Sequence, residues 1–214
     1  MSSGSGPGPG YVYILTNAAM PGYVKVGLTH GQVSERIRQL DNTSTPLPFE
    51  CYFAALVPDC ESLERTLHFV FGEKRARRNR EFFTADPNVV KAVIQLVAIK
   101  EEHLSDVDQA ITPEQRGAIE ATKRATSERM SLERLGLKPG DMLTFTKDPS
   151  ITCQVSGPKT VLFRGQQLSL SGAALQVIRE MGYDWSTVRG FDYWAFDGVK
   201  LSARDPAGSA IIGE

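Results

Sequence analysis

Gly10-Tyr-Val-Tyr-Ile-Leu15 and Tyr23-Val-Lys-Val-Gly27 are two short runs of β-branched and aromatic residues. Asn17-Ala-Ala-Met-Pro-Gly22 lies between them and carries the Asn, Pro and Gly of a reversing loop. Two such runs around such a loop predict a β-hairpin. Side chains alternate across a strand, so Val12, Ile14, Val24 and Val26 share one face, the natural core face. Tyr11, Tyr13, Tyr23 and Lys25 then point the other way, onto a face expected to be exposed. A phenol and an ammonium on one exposed face could activate a hydroxyl, because a nearby cation favours phenolate. The same pattern also suits a hairpin with surface aromatics.

The chain around the hairpin alternates helix and strand patterns, which predicts an α+β fold. Val33–Asp41 reads as a helix whose stripe is Val33, Ile37 and Leu40, with Arg36 at its edge and Arg38 pointing away. Phe49–Val57 reads as a strand. Asp59 is a natural cap for a helix running to Phe71, with Cys60, Leu63, Leu67, Val70 and Phe71 as its apolar stripe. Glu64 falls inside that stripe. A carboxylate there is expensive unless paired or bound to a cation, so it reads as one half of an ion pair with an arginine or as a metal ligand. His68, one turn on, borders the same face, as a satisfied hydrogen-bonding group or as a ligand. A further helix is expected over Asn88–Lys100.

Lys74-Arg-Ala-Arg-Arg-Asn-Arg80 places five cations in seven residues directly after the helix that carries Glu64. Lys74, Arg75, Arg77, Arg78, Asn79 and Arg80 are therefore candidates for contact with an anionic polymer. Glu81-Phe82-Phe83 closes the run, and its aromatics are expected to anchor it.

At 214 residues the chain allows one large domain or two small ones. With 41% apolar and 23% charged residues it can bury a core, and its net charge of −1 excludes a uniformly basic coat protein. Residues 1–10 and 205–214 read as flexible tails. A first domain is expected over 11–100, and a polar helical linker over 101–131 with a helix beginning after Thr112-Pro113. A second compact domain follows over 132–204. Cys51, Cys60 and Cys153 are odd in number and without a CxxC pair, which fits free thiols in a reducing cytoplasm. No stretch has the length and apolarity of a membrane span, and no secretory signal is visible.

Gly10-Tyr-Val-Tyr-Ile14, Val24-Lys-Val-Gly27, Arg36 and Glu64, in that order, resemble the GIY-YIG nuclease superfamily over about residues 10–99. The resemblance implies a small mixed domain around a central three-stranded antiparallel sheet. Tyr13 stands at the tyrosine of the first motif, Arg36 at the helical arginine, and Glu64 at the metal-binding glutamate. Lys25 departs from the tyrosine usual in the second motif. That departure resembles a phage-related branch with a Lys-Ile-Gly type motif, a Leu-His pair (Leu67-His68) and a closing Glu-aromatic-Phe (Glu81-Phe82-Phe83). Asn79 stands near the asparagine that many relatives carry after the glutamate.

What the resemblance implies is hydrolysis of a phosphodiester in DNA. Tyr13 would be the base, helped by Lys25, and Arg36 would neutralise developing charge. Glu64 would hold Mg²⁺ or Mn²⁺, and His68 would belong to the catalytic set. Tyrosine has an ordinary pKa of ~10, so this reading needs Lys25 or Arg36 close enough to lower it. One site per chain would nick a duplex, or cut both strands as a homodimer.

The second domain reads as strands at Met142–Phe145, Ile151–Val155 and Thr160–Phe163. A helix from Ser169 or Ser171 to Met181 and a strand at Tyr193–Phe196 complete it. Trp185, Phe191, Tyr193 and Trp194 are expected mainly to pack its core. Lys138–Asp141, Gly165–Ala174 and Gly190–Trp194 resemble the RAMA module, associated with restriction systems and adenine methylases. That implies double-stranded and perhaps base-modified DNA as a partner, with Arg164, Arg179 and Arg189 as the cations available to phosphate. Together the two halves suggest a restriction or phage-defence nuclease. The alternatives are a non-catalytic nucleic-acid-binding protein with a degenerate site, and a protein in which Tyr13 and Glu64 only hold the fold.

Overall fold

The hairpin forms where the alternation puts it. In the computed structural model, which describes residues 8–41, 45–75, 81–129 and 131–204, strand β1 (Gly10–Thr16) pairs antiparallel with β2 (Val24–Thr29). Asn17 shapes the loop between them. Its side chain accepts from the Ala19 amide at 2.9 Å and donates to the Leu47 carbonyl at 2.7 Å, an Asx turn tied to a distant segment.

Helix α1 (Val33–Leu40), strand β3 (Glu50–Val57), helix α2 (Cys60–Val70), strand β4 (Phe82–Phe83), helix α3 (Pro87–Gln95) and strand β5 (Lys100–Glu102) follow. The sheet order is β4-β2-β1-β3-β5, and every pairing is antiparallel. The three expected strands lie at the centre, and two short ones finish the edges. Asp59 caps α2 by accepting from the Ser62 amide at 2.9 Å. Asp86 caps α3 by accepting from the Asn88 amide at 2.8 Å, with Pro87 in the first turn.

The helix expected to reach Lys100 instead stops at Gln95, and Lys100–Glu102 is a strand. Apolar periodicity does not separate a buried helix from a strand over so short a run. The free edge of β3 decides: the Ile99 amide donates to the Leu56 carbonyl at 2.8 Å and feeds the chain into β5.

Both faces of the sheet are covered. Val12, Ile14, Val24 and Val26 pack against Leu67 and Phe71 of α2 and its end, and against Val90 and Ile94 of α3. On the opposite face Tyr13, Leu15 and Ala54 pack under Val33 and Ile37 of α1. At Tyr13 and Lys25 the face expected to be exposed is therefore interior, only 1% and 7% accessible, while Tyr23 is 40% exposed as expected. Strand alternation assigns side chains to two faces but does not say that α1 folds back over the second. Val70, placed on the α2 stripe from sequence, is 62% exposed. It lies on the flank of the stripe opposite Glu64, at the outer limit of the contact with the sheet.

The described contacts divide the chain into two units, Met1–Arg124 and Ala125–Glu214. Residues 104–124 pack with the first. The Gln109 side chain accepts from the Cys51 amide at 2.6 Å and donates to the Leu104 carbonyl at 3.2 Å. Helix α4 (Pro113–Arg129) opens with a reciprocal cap between Thr112 and Gln115, at 3.2 and 2.9 Å. Its Arg116 donates to Glu50 at 2.6 Å and to Asp106 at 2.8 Å.

The second unit holds β6 (Met142–Phe145), β7 (Asp148–Val155), β8 (Thr160–Phe163), β9 (Gln166–Ser169), α5 (Leu170–Glu180), β10 (Trp194–Phe196) and β11 (Val199–Lys200). Its sheet order is β11-β10-β6-β7-β8-β9. Ser169 caps α5, accepting from the Gly172 amide at 3.0 Å. Trp194 is fully buried edge-on to Phe145 and Phe163, and its indole N–H donates to the Leu170 carbonyl at 3.1 Å. Tyr193 is buried beside it, while Trp185 and Phe191 are partly buried. The described residues thus form an α+β fold with two antiparallel sheets. Among the described residues no helix is long and apolar enough to cross a membrane.

Candidate active site

The register of the first sheet sets the site. Tyr13 lies directly opposite Gly27. A side chain at position 27 would begin 2.6 Å from the Tyr13 hydroxyl and 2.8 Å from its Cζ. Gly27 is therefore the space into which the phenol folds across β2. Helix α1 crosses the same face, and the Arg36 guanidinium on its flank lies beside the Tyr13 hydroxyl.

Burial pushes the Tyr13 phenol above its ordinary value of 10. Arg36 offsets part of that shift, and the charges of Glu81 and Glu64 add to it. Arg36 is thus close enough to lower it, as the nuclease reading requires, but burial outweighs that effect. The Lys25 ammonium forms an ion pair with Glu81 and lies 5.7 Å from the Phe82 ring centre.

Strand β4 pairs with Val24 and Lys25 of β2, and Phe83 also bridges Arg75. Beyond Lys25 no further strand lies on the outer edge of β2 among the described residues, and amides and carbonyls at a sheet edge need other partners. The Val26 amide donates to the Glu81 carbonyl at 3.2 Å. Its carbonyl accepts from His68 Nε2 at 3.1 Å. The Leu28 amide faces the Glu64 carboxylate and favours its ionised form. Among the described residues Glu64 makes no ion pair with an arginine, and its carboxylate is not lost in the core. It wraps the sheet edge, where its charge reaches both Lys25 and Tyr13. Burial pushes its carboxyl above the ordinary value of 4.5, and Glu81 adds to this, while Lys25 and the Leu28 amide oppose it.

The two His68 nitrogens are both occupied. A carbonyl can only accept, so Nε2 carries the proton. Nδ1 then accepts from the Arg75 guanidinium at 3.0 Å. The imidazole stacks at 5.0 Å on Phe83, and Arg75 covers that ring at 5.3 Å. Arg75 therefore faces inward. Lys74 is exposed, and Arg77, Arg78, Asn79 and Arg80 lie outside the described residues.

In the second unit Arg164 forms a two-pronged pair with Glu180, and Arg189 lies 3.8 Å from Asp192. Their charges are locally balanced. Arg179 is exposed and donates to the Trp185 carbonyl at 3.4 Å.

Four separate elements thus bring Tyr13, Lys25, Arg36 and Glu64 to one edge of one sheet, with Glu81 among them. Sequence reasoning gave Glu81 no chemical part, although its place in the closing Glu-Phe-Phe was the available signal. Residues 10–98 match the T5orf172 domain. The T5orf172 match runs from the first residue of β1 to just past α3 and so contains every residue of this site. It leaves β5, α4 and the whole second unit outside. No curated protein and no solved structure matches the chain.

The donor set fits a hard divalent cation of one particular kind. Among the described residues no group of three or more His, Cys, Asp or Glu side chains is placed to hold a metal. Magnesium, however, is commonly held by one or two carboxylates, with water and substrate phosphate completing its shell. Glu64 has a carboxylate whose ionised form is poorly stabilised by its surroundings, and Glu81 stands within electrostatic reach of it.

Proposed function

We propose that the T5orf172-matching unit is a metal-dependent endonuclease that hydrolyses phosphodiester bonds in DNA. The observation that carries this reading is the convergence of Tyr13, Arg36 and Glu64 at the β2 edge, with no apolar packing role that would account for the carboxylate. Arg36, already on the phenol, is placed to neutralise a phosphate oxygen beside Tyr13. Tyr13 has a raised pKa, so its phenol proton must first pass to solvent. It would then orient the attacking water and take its proton as the water oxygen bonds to phosphorus and the P–O bond to the leaving group breaks. The leaving oxygen would be protonated from solvent. Glu64, with Glu81 in reach, would hold Mg²⁺ or Mn²⁺, which when bound acts as a Lewis acid on phosphate oxygen. The second unit, by its RAMA resemblance, would select the DNA, and tethering raises the local concentration of the cutter at the selected site. A cutter joined to a reader suits restriction of foreign or base-modified DNA, with a homodimer cutting both strands.

One observation favours a second reading, a nucleic-acid-binding protein without catalysis: the cation expected to activate Tyr13, Lys25, is committed to Glu81. Plasmid cleavage separates the two. Unmodified and modified DNA are incubated with and without Mg²⁺ or Mn²⁺, beside Glu64→Gln and Tyr13→Phe. Metal-dependent cutting that both variants lose while staying folded supports the nuclease. DNA binding with no cutting under any condition overturns it in favour of the binding protein.

A further inference from the structure

We propose that His68 is a positioning residue, which with Glu64 fastens α2 to the outer edge of β2 and so sets where the Glu64 carboxylate stands. This rests on the nuclease reading for its consequence but not for its geometry.

Glu64 meets the Leu28 amide, and His68 meets the Val26 carbonyl at 3.1 Å. Four residues along a helix advance about 6 Å, and two along a strand about 6.8 Å. The i,i+4 repeat of the helix therefore matches the i,i+2 repeat of the strand edge. The order is reversed, so α2 runs antiparallel to β2. Two contacts of matched spacing fix the helix against sliding along the edge, which one contact would not do. The first of them involves the carboxylate that chemistry would use. The second leaves it free for that use.

The imidazole is itself held in one state. The Val26 carbonyl demands a donor at Nε2, and the Arg75 guanidinium at 3.0 Å demands an acceptor at Nδ1. Phe83 fixes the ring plane from one face. Neither nitrogen is left to serve as a base or ligand, so His68 acts through Glu64 and not on substrate. Arg75, the second residue of the basic run, takes part by holding the tautomer.

The test uses isosteres in the full-length chain. His68→Gln can place its amide N–H where Nε2 stands and keep the Val26 contact. His68→Asn reaches only the Nδ1 position and leaves that carbonyl unpaired. The expected result for His68→Asn is a loss of tenfold or more in hydrogen-exchange protection at the Leu28 amide. On plasmid DNA with Mg²⁺ its kcat should fall tenfold or more with KM within about twofold. His68→Gln should stay within about twofold of the wild type in each. Unchanged Leu28 protection in His68→Asn, or equal loss in both variants, overturns the proposal. Nitrogen-15 spectra of the wild type add a measurement that needs no variant: His68 should be neutral with the proton on Nε2, and the opposite tautomer also overturns it. If the wild type cuts no DNA, the nuclease reading falls, while exchange at Leu28 still decides what His68 does.

Discussion

Replacing Gly27 by alanine tests the most specific contact in the site. The added methyl would lie 2.6 Å from the Tyr13 hydroxyl, 2.8 Å from Cζ and 3.0 Å from Cε2. Two of these are ring atoms of a side chain only 1% accessible, held under Val33 and Ile37. The ring cannot swing away without opening the α1 face. Overpacking of a tight core costs about 1–3 kcal/mol, and a rigid ring places Gly27→Ala near the middle or above, about 2 kcal/mol. For a unit of this size that lowers the thermal midpoint by roughly 8 °C. Urea denaturation followed by circular dichroism measures it. The decisive comparison is a cycle with Tyr13→Leu, which removes Cζ and the hydroxyl. In that background Gly27→Ala should cost less than about 0.5 kcal/mol, giving a coupling of about 1.5–2 kcal/mol. An equal cost in both backgrounds would show that Gly27 is needed for some other reason than room for Tyr13.

Glu64→Gln keeps an acceptor for the Leu28 amide but removes the charge. The folded-state pKa of Glu64 is raised by burial from 4.5, so the folded protein binds its proton more tightly than the unfolded chain. Stability is therefore lost as pH rises above about 4.5 through the folded value. In EDTA, Glu64→Gln should melt higher than the wild type at pH 7, with the gap closing toward pH 4; a gap that does not change with pH refutes this. Arg116→Ala should destabilise the first unit by about 1–2 kcal/mol in urea, because it strips hydrogen bonds from Glu50 and Asp106; no change in midpoint would mean that residues 104–124 are held by other contacts. Gly190→Ala would place a methyl 2.4 Å from the Ser171 amide nitrogen and 2.5 Å from the Leu170 carbonyl carbon. Backbone atoms cannot step aside, so the second unit should lose about 3 kcal/mol or more, read by fluorescence because both tryptophans, Trp185 and Trp194, lie in that unit.

Local chemistry is legible in the chain itself. The hairpin, the caps at Asp59, Thr112 and Ser169, and the helices they begin follow from near neighbours in sequence. So do the strands Met142–Phe145 and Thr160–Phe163. Tyr13, Arg36 and Glu64 stand out because their types are costly or unusual where the periodicity puts them. Strand alternation gives Tyr13 and Lys25 a common face, and helix periodicity puts Glu64 against the core.

What periodicity cannot say is what lies over a face. α1 folds back onto the Tyr13 side, which turns an exposed phenol into a buried one and reverses the direction of its pKa shift. Lys25 meets Glu81, 56 residues away, because β4 pairs beside β2. Glu64 comes to the Leu28 amide because α2 packs beside β2. Nothing in the local sequence of either element announces that meeting. Sequence determines which groups each element presents, since alternation and capping are local. Which of those groups meet is decided by long-range pairing and burial, whose free energies exist only once the sheet and its covering helices have assembled.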